Sequence, residues 1–257
     1  MSRPFAAGDK ALFLDAKQRR YLVTLAPDGQ FHTHAGYVRH EDVIGKDEGV
    51  TVRSTTNARY LVVRPTLADF VLKMPRGAQV IYPKDIGPIL LLADVFPGAR
   101  VLEAGVGSGA LSLALLRAGA SVVGYELRED FAARARANVR ALLGEDALER
   151  YDVVVGRDVY EGIDEVDLDR VVLDLPEPWR VVKHAEAALH PGGIFVAYLP
   201  SIVQVGQLRD ALADSRFGME ETLEVLHRAW KVDGAAVRPD HRMVAHTGFL
   251  TAARLVG

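Results

Sequence analysis

The residue types best suited to chemistry gather in the middle of this 257-residue chain, around three glycines at alternate positions, Gly105-Val106-Gly107-Ser108-Gly109. The apolar run 99–103 leads into them, and a helix-forming stretch, 111–117, follows. Glycines at such a strand-to-helix turn permit positive φ and let a ligand approach the backbone closely. The first turn of the helix behind them offers unpaired N–H groups to polar ligand atoms. The spacing is one residue shorter than the G-x-G-x-x-G of dinucleotide-binding turns, and an acidic residue, Glu103, precedes it. A packing turn that holds no ligand would read the same way. Three further carboxylates close later apolar runs: Glu126 after 121–126, Asp158 just beyond 151–155, and Asp174 at the end of 170–174. A carboxylate placed like Glu126 can accept from both hydroxyls of a ribose, or it can end in solvent. Asp158, with Val159 next to it, suits a ligand contact and a helix N-cap equally. Asp174 runs into Leu175-Pro176-Glu177-Pro178-Trp179, where two prolines stiffen the loop and Trp179 offers a flat apolar face to a base.

These groups are useful only if one scaffold brings them together. From residue 85 onward, the runs 99–103, 121–126, 151–155, 170–174 and 194–199 are rich in Val, Leu and Ile. They alternate with helical stretches at 111–117, 130–143 and 181–189. Such alternation predicts parallel strands with crossover helices, a doubly wound α/β sheet. The candidate ligands then sit at successive strand ends along one sheet edge, where open α/β sheets bind ligands. Two late strands are expected at 221–227 and 246–253, flanking a polar loop at 231–242. Before residue 75 the texture differs. Short alternating runs at 11–14, 21–25, 30–33, 50–53 and 59–63 predict antiparallel strands, with a turn at Pro27-Asp28-Gly29. A helix is expected over 66–73, started by Pro65 from its N1 or N-cap side, with Phe70 and Met74 in its core.

Bulk properties narrow the function classes. Cysteine is absent, which removes disulfides and thiolate zinc sites and suits a reducing cytoplasm. Residues 1–10 lack the apolar segment of a secretory leader, and no apolar run approaches the length of a membrane span. Net charge is −3, so an RNA partner would need a local basic face. His32, His34 and His40 could suggest a metal site, but strand alternation assigns them to the surface or to domain contacts, and no metal is expected.

The glycine turn with Glu103 resembles motif I of the class I methyltransferases, whose tight loop packs against the amino-acid part of S-adenosylmethionine. Asp174-Leu-Pro-Glu-Pro-Trp179 departs from the Asp-Pro-Pro-aromatic motif of amino-directed adenine methyltransferases. Instead, together with Tyr198-Leu-Pro-Ser-Ile202, Arg64-Pro-Thr66 and Gln79-Val-Ile-Tyr-Pro-Lys-Asp85, it resembles the TrmI family of tRNA adenine-N1 methyltransferases. Phe31-His-Thr-His34-Ala-Gly36, His40 and His246-Thr-Gly-Phe249 match as well, so the resemblance spans nearly the whole chain. It implies a Rossmann-like class I methyltransferase fold with a seven-stranded sheet at 76–257 and a small β-rich domain at 1–75. It implies methylation of N1 of the T-loop adenine at tRNA position 58, from S-adenosylmethionine and leaving S-adenosylhomocysteine, by a cytoplasmic homotetramer without metal, membrane or DNA. By position, Glu103, Gly105 to Gly109, Glu126, Asp158, Val159 and Asp174 would bind the cofactor, with Asp158 accepting from its adenine amino group. Asp174 would also be the catalytic residue, holding the target base by its exocyclic amino group, while Gln79, Tyr82, Trp179 and Tyr198 would face the substrate. Two other classes stay open: a methyltransferase for a protein or small molecule, and a non-catalytic RNA-binding subunit.

Overall fold

Seven of the strands after residue 75 form one sheet, in a computed structural model that describes residues 3–77 and 79–256. The described residues fall into two compact units that divide after Met74.

The first unit holds β1 (Lys10–Asp15), β2 (Arg20–Thr24), β3 (Gln30–Thr33), β4 (Gly36–Arg39), β5 (Val50–Arg53) and β6 (Arg59–Val63), of which β6 alternates exposed and buried side chains. Four of them pair in the order β2-β1-β6-β5, and β3–β4 form a separate hairpin. Phe13, Phe31 and Tyr60 meet in the core, with Phe13 and Phe31 ring centres 4.7 Å apart. The helix α1 (Leu67–Lys73) begins at Thr66 rather than at Pro65. Thr66 accepts from the Asp69 amide while the Asp69 carboxylate accepts from the Thr66 amide, a capping box spelled T-x-x-D. Phe70 and Met74 are buried, as expected. His40 is a correction: it is 6% exposed, and its Nδ1 accepts from the Ala26 amide at 3.0 Å. His32 and His34 are exposed.

The second unit opens with α2 (Pro83–Leu92), which the sequence reading missed because Pro83, Gly87 and Pro88 disguise it. Pro83 stands at N1, where no amide hydrogen is required. Then come β7 (Arg100–Ala104), α3 (Ala110–Arg117), β8 (Ser121–Glu126), α4 (Glu129–Leu143), β9 (Tyr151–Val155) and β10 (Leu168–Leu173). They are followed by α5 (Val182–Ala188), β11 (Leu189–Leu199), α6 (Ile202–Ala213) and β12 (Phe217–Glu224). The chain ends with β13 (Trp230–Asp233), β14 (Ala236–Pro239) and β15 (Phe249–Leu255). The sheet order is β12-β15-β11-β10-β7-β8-β9, parallel except where β15 pairs with β11 and β12. The order therefore reverses between β7 and β10, which opens a crevice at their carboxyl ends. Both faces are covered, so β7 and α3 are buried almost throughout.

Three expectations change. Residues 231–242 are not a plain loop: β13 and β14 pair as a hairpin across the two-residue turn Gly234-Ala235, with φ +54° at Gly234. The late strands start elsewhere, at Phe217 and Phe249. The helix α6 was overlooked, although Ser201 caps it by accepting from the Val203 amide.

Candidate active site at the sheet switch point

Gly105 sits where the sheet order reverses. Its φ is +83°, and a Cβ there would lie 2.1 Å from the carbonyl oxygen of Asp174. Only glycine lets the β7 turn pass the end of β10 this closely. The contact is drawn tight by the Asp174 amide donating to Ala104 O at 3.0 Å. Gly109, also left-handed at +81°, N-caps α3 against the backbone of Ala135. At the end of β8, Glu126 accepts from the Gly107 amide at 2.9 Å and from the Arg128 amide at 3.0 Å. The carboxylate thus braces the glycine turn and the entry to α4 at the same time.

Two hollows flank Gly105. One, of about 220 Å³, is bounded by Tyr125, Glu126, Leu127, Asp158, Val159 and Leu175. Its walls are mainly apolar, with carboxylates at the ends of β8 and beyond β9, a shape that suits a flat heterocycle joined to a hydroxylated sugar. The other is narrower and is lined by Gln79, Glu103, Ser108 and Asp174. Asp158 does hold a turn, accepting from the Tyr160 amide at 2.9 Å through Oδ1.

Electrostatics differ sharply among the carboxylates. Glu103 is 1% exposed and is pushed up to about 8, chiefly by burial. The Ser112 hydroxyl donates to it at 2.6 Å, and the Tyr151 hydroxyl donates to Ser112 in turn. Asp174 is raised to about 6 by burial. Register puts it beside Tyr198, because Leu173 pairs with Ala197. Tyr198 is half-buried, and its phenol is pushed up to about 12, by burial first and then by the charges of Asp85 and Asp174. Its hydroxyl donates to Thr247 O at 2.5 Å.

Glu103, Gly105, Val106, Gly107, Ser108, Asp174 and Gln79 therefore share one hollow, and Glu126, Asp158 and Val159 share the other. Gly109 stands just behind, at the head of α3. Trp179 lines neither hollow: it lies in a 3-10 turn, Pro178–Val181, and packs on the core between the sheet and its helices. Tyr82 N-caps α2 and lines neither hollow. The loop after Asp174 is pinned by contacts no motif announces, with the Glu177 amide donating to Tyr160 Oη and Gln204 donating to Pro176 O. A further group missed from sequence is the buried pair Lys84 and Asp85 with Thr247.

Comparison with known proteins agrees with this geometry. The family described as tRNA methyltransferase complex GCD14 subunit matches residues 59–238, and a TrmI-like N-terminal family matches residues 4–52. A tRNA (adenine(58)-N(1))-methyltransferase TrmI of Thermus thermophilus is 41% identical over 246 residues, 95% of each chain. A solved structure of a protein described as a SAM-dependent O-methyltransferase from Thermotoga maritima superposes with a TM-score of 0.92, at 35% identity, over 98% of this chain and 95% of that one. The Aquifex aeolicus structure described as tRNA (m1A58) methyltransferase TrmI superposes with a TM-score of 0.86, at 29% identity, over 99% of this chain and all of that one. The strand order, the glycine turn at its reversal and these matches together make the chain a member of the TrmI/GCD14 family of S-adenosylmethionine-dependent tRNA methyltransferases.

Proposed function

We propose that this protein methylates N1 of adenine 58 in the T-loop of tRNA, using S-adenosylmethionine. The observation that carries the reading is the row Glu126, Gly105, Asp174 and Tyr198 along the carboxyl ends of β8, β7, β10 and β11, within a chain of this family. The cofactor would lie along the two hollows. Glu126 takes the ribose hydroxyls, Asp158 and Val159 take the adenine, and the turn Gly105 to Gly109 with Glu103 takes the amino-acid end. When bound, S-adenosylmethionine supplies an electrophilic methyl group on sulfur.

The remaining work falls to Asp174. Its carboxylate accepts from the exocyclic amino group of the target base, orienting N1 and stabilising the positive charge that the ring gains on methylation. The group rises only to about 6, so it is mostly ionised at neutral pH and can accept. Removing bulk water around it strengthens that interaction. Holding both reactants supplies a further share of the rate. Gln79, Tyr82 and Tyr198 provide the acceptor side, and the base must leave its stack to reach them. Residues 76–257 act as the catalytic domain, and residues 1–75 form a separate small β-rich one. The working form is a cytoplasmic homotetramer, supported by the exposed apolar residues Trp230, Val232 and Val237 on the β13–β14 hairpin.

Labelled S-adenosylmethionine and an unmodified tRNA transcript test the reading. Label is expected on adenine 58 and is lost when that base is replaced. Label on protein or a small molecule would make the acceptor class wrong, and no transfer to any acceptor would make the chain a non-catalytic subunit.

A further inference from the structure

Two family-like motifs separated by about 160 residues, Tyr82-Pro-Lys-Asp85 and His246-Thr-Gly-Phe249, are joined by buried polar contacts. Asp85 is fully buried and uses both carboxylate oxygens: Oδ1 pairs with Lys84 Nζ at 2.7 Å, and Oδ2 accepts from Thr247 Oγ1 at 2.6 Å. Lys84, its side chain only 4% exposed, also donates to Val225 O at 2.7 Å. The first turn of α2 is thereby tied to the end of β12 and to the segment leading into β15. That segment is the seat of Tyr198. The phenol donates to Thr247 O, and its ring lies so close to Gly248 that a Cβ there would sit 2.5 Å from it. A second tie flanks the first, because His246 bonds Glu224 at 2.7 Å and Pro200 O at 2.8 Å.

A buried ion pair is an expensive way to hold elements together. An apolar pair of similar volume is commonly as stabilising or more so, whereas loss of one partner is strongly destabilising. What the charged pair adds is direction: each polar atom fixes the position of one named partner. The bond from Thr247 to Asp85 ends at the backbone that seats Tyr198, which register sets beside Asp174.

We propose that Lys84, Asp85 and Thr247 form a positioning clamp that sets Tyr198 against Asp174, and that methyl transfer depends on it through geometry and not through fold stability. The proposal rests on the reading of Asp174 and Tyr198 as substrate-facing residues. Thr247→Val keeps shape and removes the bond to Asp85. It is expected to lower kcat on a tRNA transcript by about tenfold or more, the scale of loss when reacting groups are misplaced. Cofactor affinity should stay unchanged, and Thr247→Ser should restore turnover. In the double variant Lys84→Met with Asp85→Leu, Tm should hold or rise while kcat falls alike, a split that a purely structural role does not produce. Thr247→Val and the double variant both turning over at the parent rate would overturn the proposal, as would losses of activity that only track the folded fraction. The unsubstituted protein in the same assay tests the parent reading separately: no transfer to tRNA removes that reading, whereas normal transfer with indifferent variants removes only the clamp.

Discussion

Asp174, partly buried, and Glu103, fully buried, are both acids raised by desolvation, yet their surroundings prepare them for opposite duties. Asp174 has its carboxyl raised to about 6 and must be ionised to accept from an amino group. Turnover under saturating substrates is therefore expected to climb as pH rises through about 6 and to level above it; a flat profile from pH 5 to 8 would refute that role. Asp174→Asn should cut kcat by about a hundredfold, the typical loss of one transition-state contact, while calorimetry still detects cofactor binding. Glu103 is raised to about 8. Between its ordinary value near 4.5 and about 8, the folded chain holds a proton that the unfolded chain has lost. The stability this provides is complete below the lower value and drains away as pH rises through the upper one. Glu103→Gln should flatten the fall of Tm between pH 5 and 9, and an unchanged slope would exclude Glu103 as its source. These protonation states come from burial, which a residue's identity does not reveal.

Turns and caps decide where the elements place these side chains. Gly105→Ala would drive a methyl group into the Asp174 carbonyl at a left-handed backbone position, so the β7 turn must move away from β10. Loss of cofactor binding in titration calorimetry is expected even where the protein remains folded; normal binding would show that the turn adapts. At the head of α1, Thr66→Ala removes a capping box and should lower unfolding free energy by about 1 kcal/mol in denaturant titration, without touching the methyl-transfer chemistry. The five central strands and the glycine turn were legible from apolar runs and spacing. Helix α2 was not, because its prolines break the helical pattern although one of them stands at the tolerated first position. The Asp233-Gly234 signal in the 231–242 segment was present but outweighed by its polarity, since a hairpin with no buried residue carries no burial alternation.

On the scale of the whole molecule, a net charge of −3 must still coexist with a polyanionic partner. Binding to tRNA is expected to weaken steeply with added salt, since it depends on local groups of arginine and lysine. The proposed tetramer makes the hairpin a natural contact, because Trp230 is 59% exposed and Val232 72% exposed in the single chain. Trp230→Glu together with Val237→Glu should reduce the sedimenting mass below that of the parent. An unchanged mass would place the interface elsewhere.

The sequence alone determined the strand–helix alternation, the site of the glycine turn and the four carboxylates at or near the strand ends, because period, turn chemistry and residue type are local properties. It also carried Tyr82-Pro-Lys-Asp85 and His246-Thr-Gly-Phe249, but as unconnected words. Only the tertiary structure decided that Thr247 bonds Asp85, that Trp179 packs against the core, and that Gly105 must be bare to pass Asp174. Those facts depend on the order in which strands are laid side by side and on which groups water can no longer reach. Neither is encoded within any single stretch of chain.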